Sequence, residues 1–268
     1  MKKIFALVFL ISFASKAQDK QFKYALSGIE KVQIESNTAT KIVVGTTSEL
    51  IIKDSKHDKE FASHHFNDDY QDKDKNIDKK KGLTPIYPGG KDDTNGYGFS
   101  ISKEGKTLII RDLKSQFQRS GIEIVLPKNI NINIDSGTLG SIDIEGFTGE
   151  VEAESNVGPI NMKNVTGPIT AHTSVGPITI DFTNVSQKSP ITISSSVAEI
   201  DVSLPGNTKA DLELKTNGTV YTNFDFPAPP KKGLPNISGN KSINSSINNG
   251  GVKIQIKSSM GNIYLRKK

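Results

Sequence analysis

Hydrophobic residues between positions 132 and 204 come in pairs whose members are separated by one residue. This alternation is the side-chain pattern of a β-strand with one buried face. The first five pairs start nine residues apart, and two more follow after a short interruption: Ile142/Ile144, Val151/Ala153, Ile160/Met162, Ile169/Ala171, Ile178/Ile180, Ile191/Ile193 and Ile200/Val202. The pattern predicts a series of short strands joined by tight turns, with a loop over residues 183–189.

Glycine and proline mark the starts of these strands. Gly-Pro-Ile begins at Gly158, Gly167 and Gly176, and an apolar residue followed by glycine returns every eighteen residues, as in Leu139-Gly140. Glycine allows the positive φ that a sharp corner needs, and the first residue of a strand tolerates proline. A fixed short period is typical of a solenoid, in which stacked coils bury a shared core. We therefore predict an all-β, single-domain β-solenoid, of the β-helix or β-roll kind, with about 18 residues per coil and flexible insertions.

Coils of this length would stack particular outward side chains. Opposite charges on neighbouring strands stabilise a sheet by about 0.2–1 kcal/mol, and like charges destabilise it. We predict one charged row on each face, the first formed by Glu145, Lys163 and Asp181 and the second by Glu154, His172 and Ser194.

Residues 1–17 resemble an export signal. Lys2 and Lys3 precede a short apolar run over 4–13, and Ser15 and Ala17 occupy the −3 and −1 positions of a cleavage site. The run is too short to span a membrane. We expect cleavage after Ala17 and export through the Sec route. The mature chain, 18–268, is expected in the periplasm, on the cell surface or secreted, with no transmembrane segment.

The composition excludes several classes of protein. The chain has no cysteine, so neither disulfides nor thiolate metal sites hold the fold. Its formal charge of +5 falls to about +2 without the three lysines of the signal, which gives no case for nucleic-acid binding. Arginine, the residue suited to forked recognition of anions, occurs only at Arg111, Arg119 and Arg266.

Two segments interrupt the strand pattern. Residues 54–81 are dense in Asp and Lys and are predicted to be a flexible charged insertion. They include His57, His64 and His65, whose spacing fits no metal motif. Residues 227–250 are rich in Pro, Ser and Asn and are predicted to form a loop.

The strands outside the repeats are expected to close the two ends of the stack, because a solenoid needs atypical terminal units. Strands predicted over 29–34, 41–44 and 50–53 would cap the first end. Those over 252–257 and 262–265 would close the far end. A hairpin is predicted from 99–103 and 107–111, around Glu104 and Gly105.

Candidate chemistry is sparse. The turns lack the acidic residues of calcium-binding repeats. A nucleophilic triad would have to use His172, which is predicted on an outward face without a Gly-x-Ser-x-Gly elbow. Paired carboxylates could come from an acidic group with few aromatic residues nearby, formed by Asp143, Glu145, Glu152 and Glu154. We predict no catalytic, cofactor-binding or metal-ligating residue.

Four motifs together resemble a family of exported bacterial proteins, common in Bacteroidetes-type bacteria and classed as adhesin-like domains of unknown function. The motifs are Gly82-Leu-x-Pro-Ile, Asp93-Thr-Asn-Gly-x-Gly98, the strand over 107–113 ending in Ile-Arg-Asp-Leu, and Ser258-Ser-x-Gly-Asn-Ile-Tyr-Leu265. The resemblance covers most of the mature chain. It implies a β-solenoid in a cell-envelope setting and carries over no catalytic residue.

The resulting hypothesis is a non-enzymatic cell-envelope or secreted β-solenoid that acts as an adhesin-like binding scaffold. Its ladder surface or its insertions would contact an envelope protein or a surface glycan. Two alternatives stay open. One is a carbohydrate-active enzyme that uses the acidic strip, and the other is a purely structural envelope spacer.

Overall fold

The computed structural model describes residues 21–55, 82–114, 121–226 and 241–268. The predicted signal, His57, His64, His65 and most of the 54–81 insertion, and residues 227–240 lie outside these ranges. The described residues contain no helix. Their strands are β1 (Gln21–Ala25), β2 (Lys31–Glu35), β3 (Thr40–Gly45), β4 (Glu49–Asp54), β5 (Phe99–Glu104), β6 (Thr107–Asp112), β7 (Ile122–Pro127), β8 (Asn131–Asp135), β9 (Ile142–Glu145), β10 (Val151–Ser155), β11 (Ile160–Val165), β12 (Ile169–Thr173), β13 (Ile178–Phe182), β14 (Ile191–Ser195), β15 (Ile200–Leu204), β16 (Ala210–Thr216), β17 (Val220–Thr222), β18 (Lys241–Ile247), β19 (Val252–Ser258) and β20 (Ile263–Lys267).

The strands form two mixed sheets of ten strands each, which confirms the predicted all-β class. The first sheet has the order β1-β4-β7-β3-β9-β11-β13-β15-β20-β17. The second has the order β18-β16-β19-β14-β12-β10-β8-β2-β6-β5. Alternate residues of the strands are buried, and those of both sheets join one hydrophobic core. The period-2 pattern therefore encodes strands that each cover one side of a shared core.

In the middle of each sheet, neighbouring strands are parallel and offset by eighteen residues. In the first sheet Ile142 pairs with Ile160, and Ile160 pairs with Ile178. In the second sheet Val151 pairs with Ile169. The next partners are displaced by twenty-two residues, as between Ile178 and Ile200. The loop predicted over 183–189 accounts for this extra length.

The second predicted row is confirmed, and the first is confirmed only in part. Glu154 pairs with His172, and His172 with Ser194. Glu145 pairs with Lys163, but the register shifts between Met162 and Val165, where Asn164 has a φ of 55°. A bulge of this kind adds a residue to one strand. Lys163 and Asn164 therefore lie together opposite Asp181, and Lys163 has no one-to-one partner on β13.

Strands from the two ends of the described chain lie inside the sheets. β2 pairs with both β6 and β8, and β3 pairs with both β7 and β9. Near the other end, β19 lies between β14 and β16, and β20 lies between β15 and β17. The prediction that β2 and β3 cap the first end is wrong, as is the prediction that β19 and β20 close the far end. Each of these four strands lies between two others, at least one of which is distant from it in sequence. The third strand predicted to cap the first end, β4, lies second from the edge, between β1 and β7.

The ends of the sheets are formed by other strands. β1 and β5 are the edges at one end, both in antiparallel pairs, and β17 and β18 are the edges at the other. The β5–β6 pair confirms the predicted hairpin. β18 pairs antiparallel with β16 over seven residues. The prediction of a loop over 227–250 is therefore wrong for residues 241–247, because serine and asparagine are tolerated where only one side chain in two faces the core.

Glycine is required at Gly158 and Gly176, in two of the connections between the sheets, because backbones approach each other closely there. A Cβ on Gly158 would lie 1.9 Å from the carbonyl oxygen of Gly140, and one on Gly176 would lie 2.1 Å from that of Gly158. Neither residue has a positive φ, whereas Gly167 does, at 78°. The predicted reason for glycine, a left-handed backbone, therefore holds for Gly167 and is wrong for Gly158 and Gly176. We call the connections β8–β9, β10–β11, β12–β13, β14–β15 and β19–β20 the tight connections.

A buried hydroxyl group precedes each tight connection. The residues are Ser136, Ser155, Thr173, Ser195 and Ser258. The Ser136 hydroxyl donates to the Gly140 carbonyl at 2.7 Å, and the Thr173 hydroxyl accepts from the Gly176 N–H at 3.0 Å. A connection leaves some backbone groups outside the ladder, and these side chains satisfy them.

A buried ion pair lies beside the hairpin at the first end. Lys114 Nζ is 2.8 Å from Asp112, and both side chains are almost fully enclosed. Lys114 Nζ also donates to the Tyr97 carbonyl at 2.7 Å and lies 3.6 Å from the centroid of the Phe99 ring. Burial lowers the pKa of Lys114, and the ion pair with Asp112 opposes that shift. Asp112 in turn accepts a hydrogen bond from Thr38, which ties the hairpin to the β2–β3 connection.

Replacing Gly158 with alanine should destabilise the protein, because the added methyl group overlaps a backbone oxygen that cannot rotate away. We expect a loss of about 1–3 kcal/mol in the free energy of unfolding, measured by urea denaturation. Gly89→Ala is the matched control, since its methyl group would meet only the Leu113 side chain at 3.5 Å. A Gly158→Ala protein as stable as the Gly89→Ala protein would contradict the close approach.

Removing Lys114 should be far more costly than removing the exposed Arg111 three residues earlier. Lys114→Met leaves the buried Asp112 carboxylate without its cation, which costs about 3–5 kcal/mol. Arg111→Met breaks an exposed pair with Glu35, which water screens, and should change the stability little. Thermal and urea unfolding of the two variants measures the difference. Equal losses would show that the Asp112–Lys114 pair does not stabilise this end.

Candidate functional site

The four acidic residues proposed as a carboxylate strip are divided between the two sheets. Asp143 and Glu145 lie on β9 in the first sheet, and Glu152 and Glu154 lie on β10 in the second. Their side chains alternate with buried residues and therefore face away from the shared core. Asp143 accepts a hydrogen bond from Asn161 at 3.0 Å, and Glu152 is 3.3 Å from Lys31 Nζ. The structure does not bring the strip together as one site.

His172 lies in a polar row on the outward face of the second sheet. Its Nδ1 is 2.8 Å from the Ser194 hydroxyl, and Glu154 is its strand partner on the other side. This brings together the residue types of a nucleophilic set, but on an open sheet surface rather than in a cleft. Within the ranges that the structure describes, no group of three or more His, Asp or Glu side chains is placed to hold a metal ion.

The same row continues toward the first end with two more acidic residues. Asp135 is the strand partner of Glu154 and of Glu35. Arg111 donates hydrogen bonds to both carboxylate oxygens of Glu35, at 2.7 and 3.2 Å, and these bonds hold the pKa of Glu35 below its usual value. The Asp135 carboxylate accepts from the Gly137 N–H at 2.8 Å. The carboxylates of Glu35 and Asp135 therefore both have hydrogen-bond partners within the chain.

A pocket of about 400 Å³ lies in the loop before β5 and is lined in part by Tyr87, Lys91 and Asp92. Asp92 accepts from the Thr94 N–H at 2.7 Å, the Thr94 hydroxyl at 2.6 Å and the Gly96 N–H at 2.6 Å. Burial raises the pKa of Asp92, but these hydrogen bonds outweigh it and the net direction is downward. Burial, followed by the charges of Asp92 and Asp112, raises the pKa of Tyr87. The Asp92 carboxylate is thus used to hold its own loop in shape.

The clearest exposed feature is a line of apolar side chains at the tight connections. Each connection carries one of them, and each is between 39% and 69% exposed. We call this set the apolar row; it consists of Leu139, Val157, Val175, Val197 and Met260.

Backbone hydrogen bonds hold the connections of the first three members of the apolar row one above the other, and parallel strand pairing places the connections of the last two in line with them. The Val157 N–H donates to the Thr138 carbonyl at 3.1 Å, and the Val175 N–H donates to the Asn156 carbonyl at 3.0 Å. Because neighbouring strands are about 4.8 Å apart, five members extend over about 19 Å. Contiguous exposed apolar surface on a folded protein marks sites of interaction.

The sequence contained part of the signal for this row. Leu139, Val157 and Val175 were visible at a spacing of eighteen residues, but their exposure was not, because an apolar residue beside a strand is usually buried. Met260 joined the row only through β19, which lies next to β14. The sequence pattern by itself therefore indicates a repeat and does not indicate an exposed surface.

A pair of tyrosines at the far end of the first sheet was also missed. Tyr221 on β17 and Tyr264 on β20 are strand partners, and their rings stack with centroids 5.2 Å apart at an angle of 11°. The two residues are distant in sequence, so no local pattern relates them. An exposed aromatic surface is thus present outside the repeat body.

Comparisons with known proteins add little to this geometry. No protein-family model matches the sequence, and no curated protein matches it. The chain is similar in structure to a crystal structure described as a "putative cell adhesion protein" from Clostridium sporogenes, at 14% identity and a TM-score of 0.45. The match covers 94% of this chain and 100% of that one, but a similarity this weak carries no argument about function. The family resemblance stays a prediction.

The described residues include no helix long and apolar enough to cross a membrane.

Proposed function

We propose that this protein is a non-enzymatic β-solenoid scaffold of the cell envelope that binds a partner protein along the apolar row. The observation that carries the proposal is the alignment of five exposed apolar side chains at successive tight connections. Parallel pairing at an offset of eighteen residues supports the solenoid form. The export signal predicted over residues 1–17 supports the envelope setting.

The chemistry of the row favours a protein partner over a glycan. Val157, Val175 and Val197 offer methyl groups on stiff β-branched side chains, which lose little rotamer freedom when a partner covers them. The neighbouring connection residues are small and polar, such as Asn156 and Ser196. An apolar ridge of a second protein can cover such a line, whereas sugar hydroxyls would lose hydrogen bonds to water there.

A binding role also agrees with the arrangement of the polar residues. Catalysis by paired carboxylates needs them at one site, and here they are on two sheets. His172 and Ser194 lie on an open surface, where water screens the electrostatic effects that a reaction requires. A purely structural spacer would need no exposed apolar row. A binding assay therefore distinguishes a binding scaffold from a spacer.

The test replaces the three valines of the row with threonine, which keeps their shape and removes apolar surface. Fluorescently labelled protein, residues 18–268, is titrated onto intact cells of the bacterium that produces it. The variant Val157→Thr/Val175→Thr/Val197→Thr should bind at least about tenfold more weakly, since each change removes roughly one methyl group from the contact.

The control changes three outward threonines of the sheets, as Thr170→Ser/Thr179→Ser/Thr192→Ser, and should bind like the unchanged protein. Treating the cells with protease beforehand should abolish binding if the partner is a protein. Binding that survives protease treatment would show that the partner is not a protein. The absence of any binding by the unchanged protein would favour the spacer role instead.

A further inference from the structure

An aromatic stack ends the first sheet with one ring face uncovered. Tyr221 lies on β17, the edge strand of the sheet, and is 51% exposed. One face of its ring lies against Tyr264, because the two rings are nearly parallel. No strand among the described residues follows β17 in this sheet, so the other ring face points beyond the sheet edge.

An ion pair between Arg266 and Asp201 supports the Tyr264 ring of the stack. Arg266 donates to Asp201 on β15 from Nε at 2.8 and 3.0 Å and from Nη2 at 2.6 Å. The same guanidinium group lies 5.7 Å from the centroid of the Tyr264 ring. Asp201 therefore orients Arg266, Arg266 packs against Tyr264, and Tyr264 supports Tyr221. A ring fixed in this way loses little conformational entropy when a ligand covers it.

The polar neighbours of Tyr221 along the chain, Thr219, Thr222 and Asn223, are uncharged. Asn223, directly after β17, accepts from the Lys267 N–H at 2.6 Å and donates to the Lys267 carbonyl at 3.0 Å. Thr219, two residues before Tyr221, is exposed. The charge of Arg266 is balanced by Asp201. The site thus offers a flat apolar face with a hydroxyl group beside it and no free cation in the stack.

We propose that the outer face of Tyr221 is a stacking platform for a neutral pyranose ring of a carbohydrate chain. The C–H groups on one face of such a ring pack against the negative face of an aromatic ring, while its hydroxyls at the rim stay in water or reach Thr219. An acidic sugar would gain nothing here, because the guanidinium of Arg266 is already paired. This site is independent of the apolar row and of the partner proposed for it.

The test titrates the mature chain with cellohexaose and hexa-N-acetylchitohexaose, two neutral chains, and with an oligogalacturonate as an acidic comparison. Binding is followed by NMR shifts of the tyrosine ring protons and by calorimetry. We expect the neutral chains to bind and to shift the Tyr221 signals. Tyr221→Ser should weaken binding by about tenfold or more, whereas Tyr221→Phe, which keeps the ring, should stay within about threefold.

Tyr87→Ser is the matched control, because it removes a tyrosine from the loop pocket at the other end and should leave the affinity unchanged. Circular dichroism establishes that each variant is folded. Failure of both neutral chains to bind, or equal binding by the Tyr221→Ser variant, would overturn the proposal. So would a Tyr221-dependent dimer seen by light scattering without sugar binding, since a second copy would then be the occupant. Cell binding through the apolar row is unaffected by any of these results.

Discussion

The close approach of backbones at the tight connections is the constraint on which the rest of this structure depends. Gly158 and Gly176 sit so near the carbonyl oxygens of the preceding connections that a Cβ cannot fit. This contact keeps each strand in register with the strand eighteen residues away, and register decides which side chains are buried. The buried hydroxyls of Ser136 and Thr173 satisfy backbone groups that the turns leave outside the ladders. The same geometry turns one apolar residue per connection outward, which is how the apolar row arises.

Interleaving of distant segments is the second principle of the fold. β2 and β3 lie between strands that come later in the chain, and β19 and β20 lie between strands that come earlier. Each enclosed strand has a partner on both sides, so its backbone groups can be paired in two ladders. The edges are left to other strands, among them the short β17, and short edge strands limit unwanted pairing. The Asp112–Lys114 pair adds a tie between the hairpin and the β2–β3 connection.

Both proposed binding sites are consequences of stacking rather than of local motifs. The apolar row collects one side chain from each of five connections, and the Tyr221 platform collects residues from β15, β17 and β20. Polar residues that attract interest in the sequence are instead engaged within the chain. Asp92 organises its own loop, and Glu35 is neutralised by Arg111. An open surface with rigid, repeated side chains suits recognition of an extended partner more than it suits a reaction.

The sequence by itself determined the all-β class, the positions of most strands, the β5–β6 hairpin and the eighteen-residue offset, because alternation and turn residues are local signals. It also placed Glu154, His172 and Ser194 in one row, since that follows from the eighteen-residue offset together with the extra loop over 183–189. The tertiary structure alone decided where β2, β3, β19 and β20 lie, because pairing between distant segments leaves no periodic trace. It also decided the bulge at Asn164, the strand β18, the exposure of Val157 and Val175, and the stacking of Tyr221 on Tyr264. These features depend on which segments become neighbours, and that choice is made by packing of the whole core.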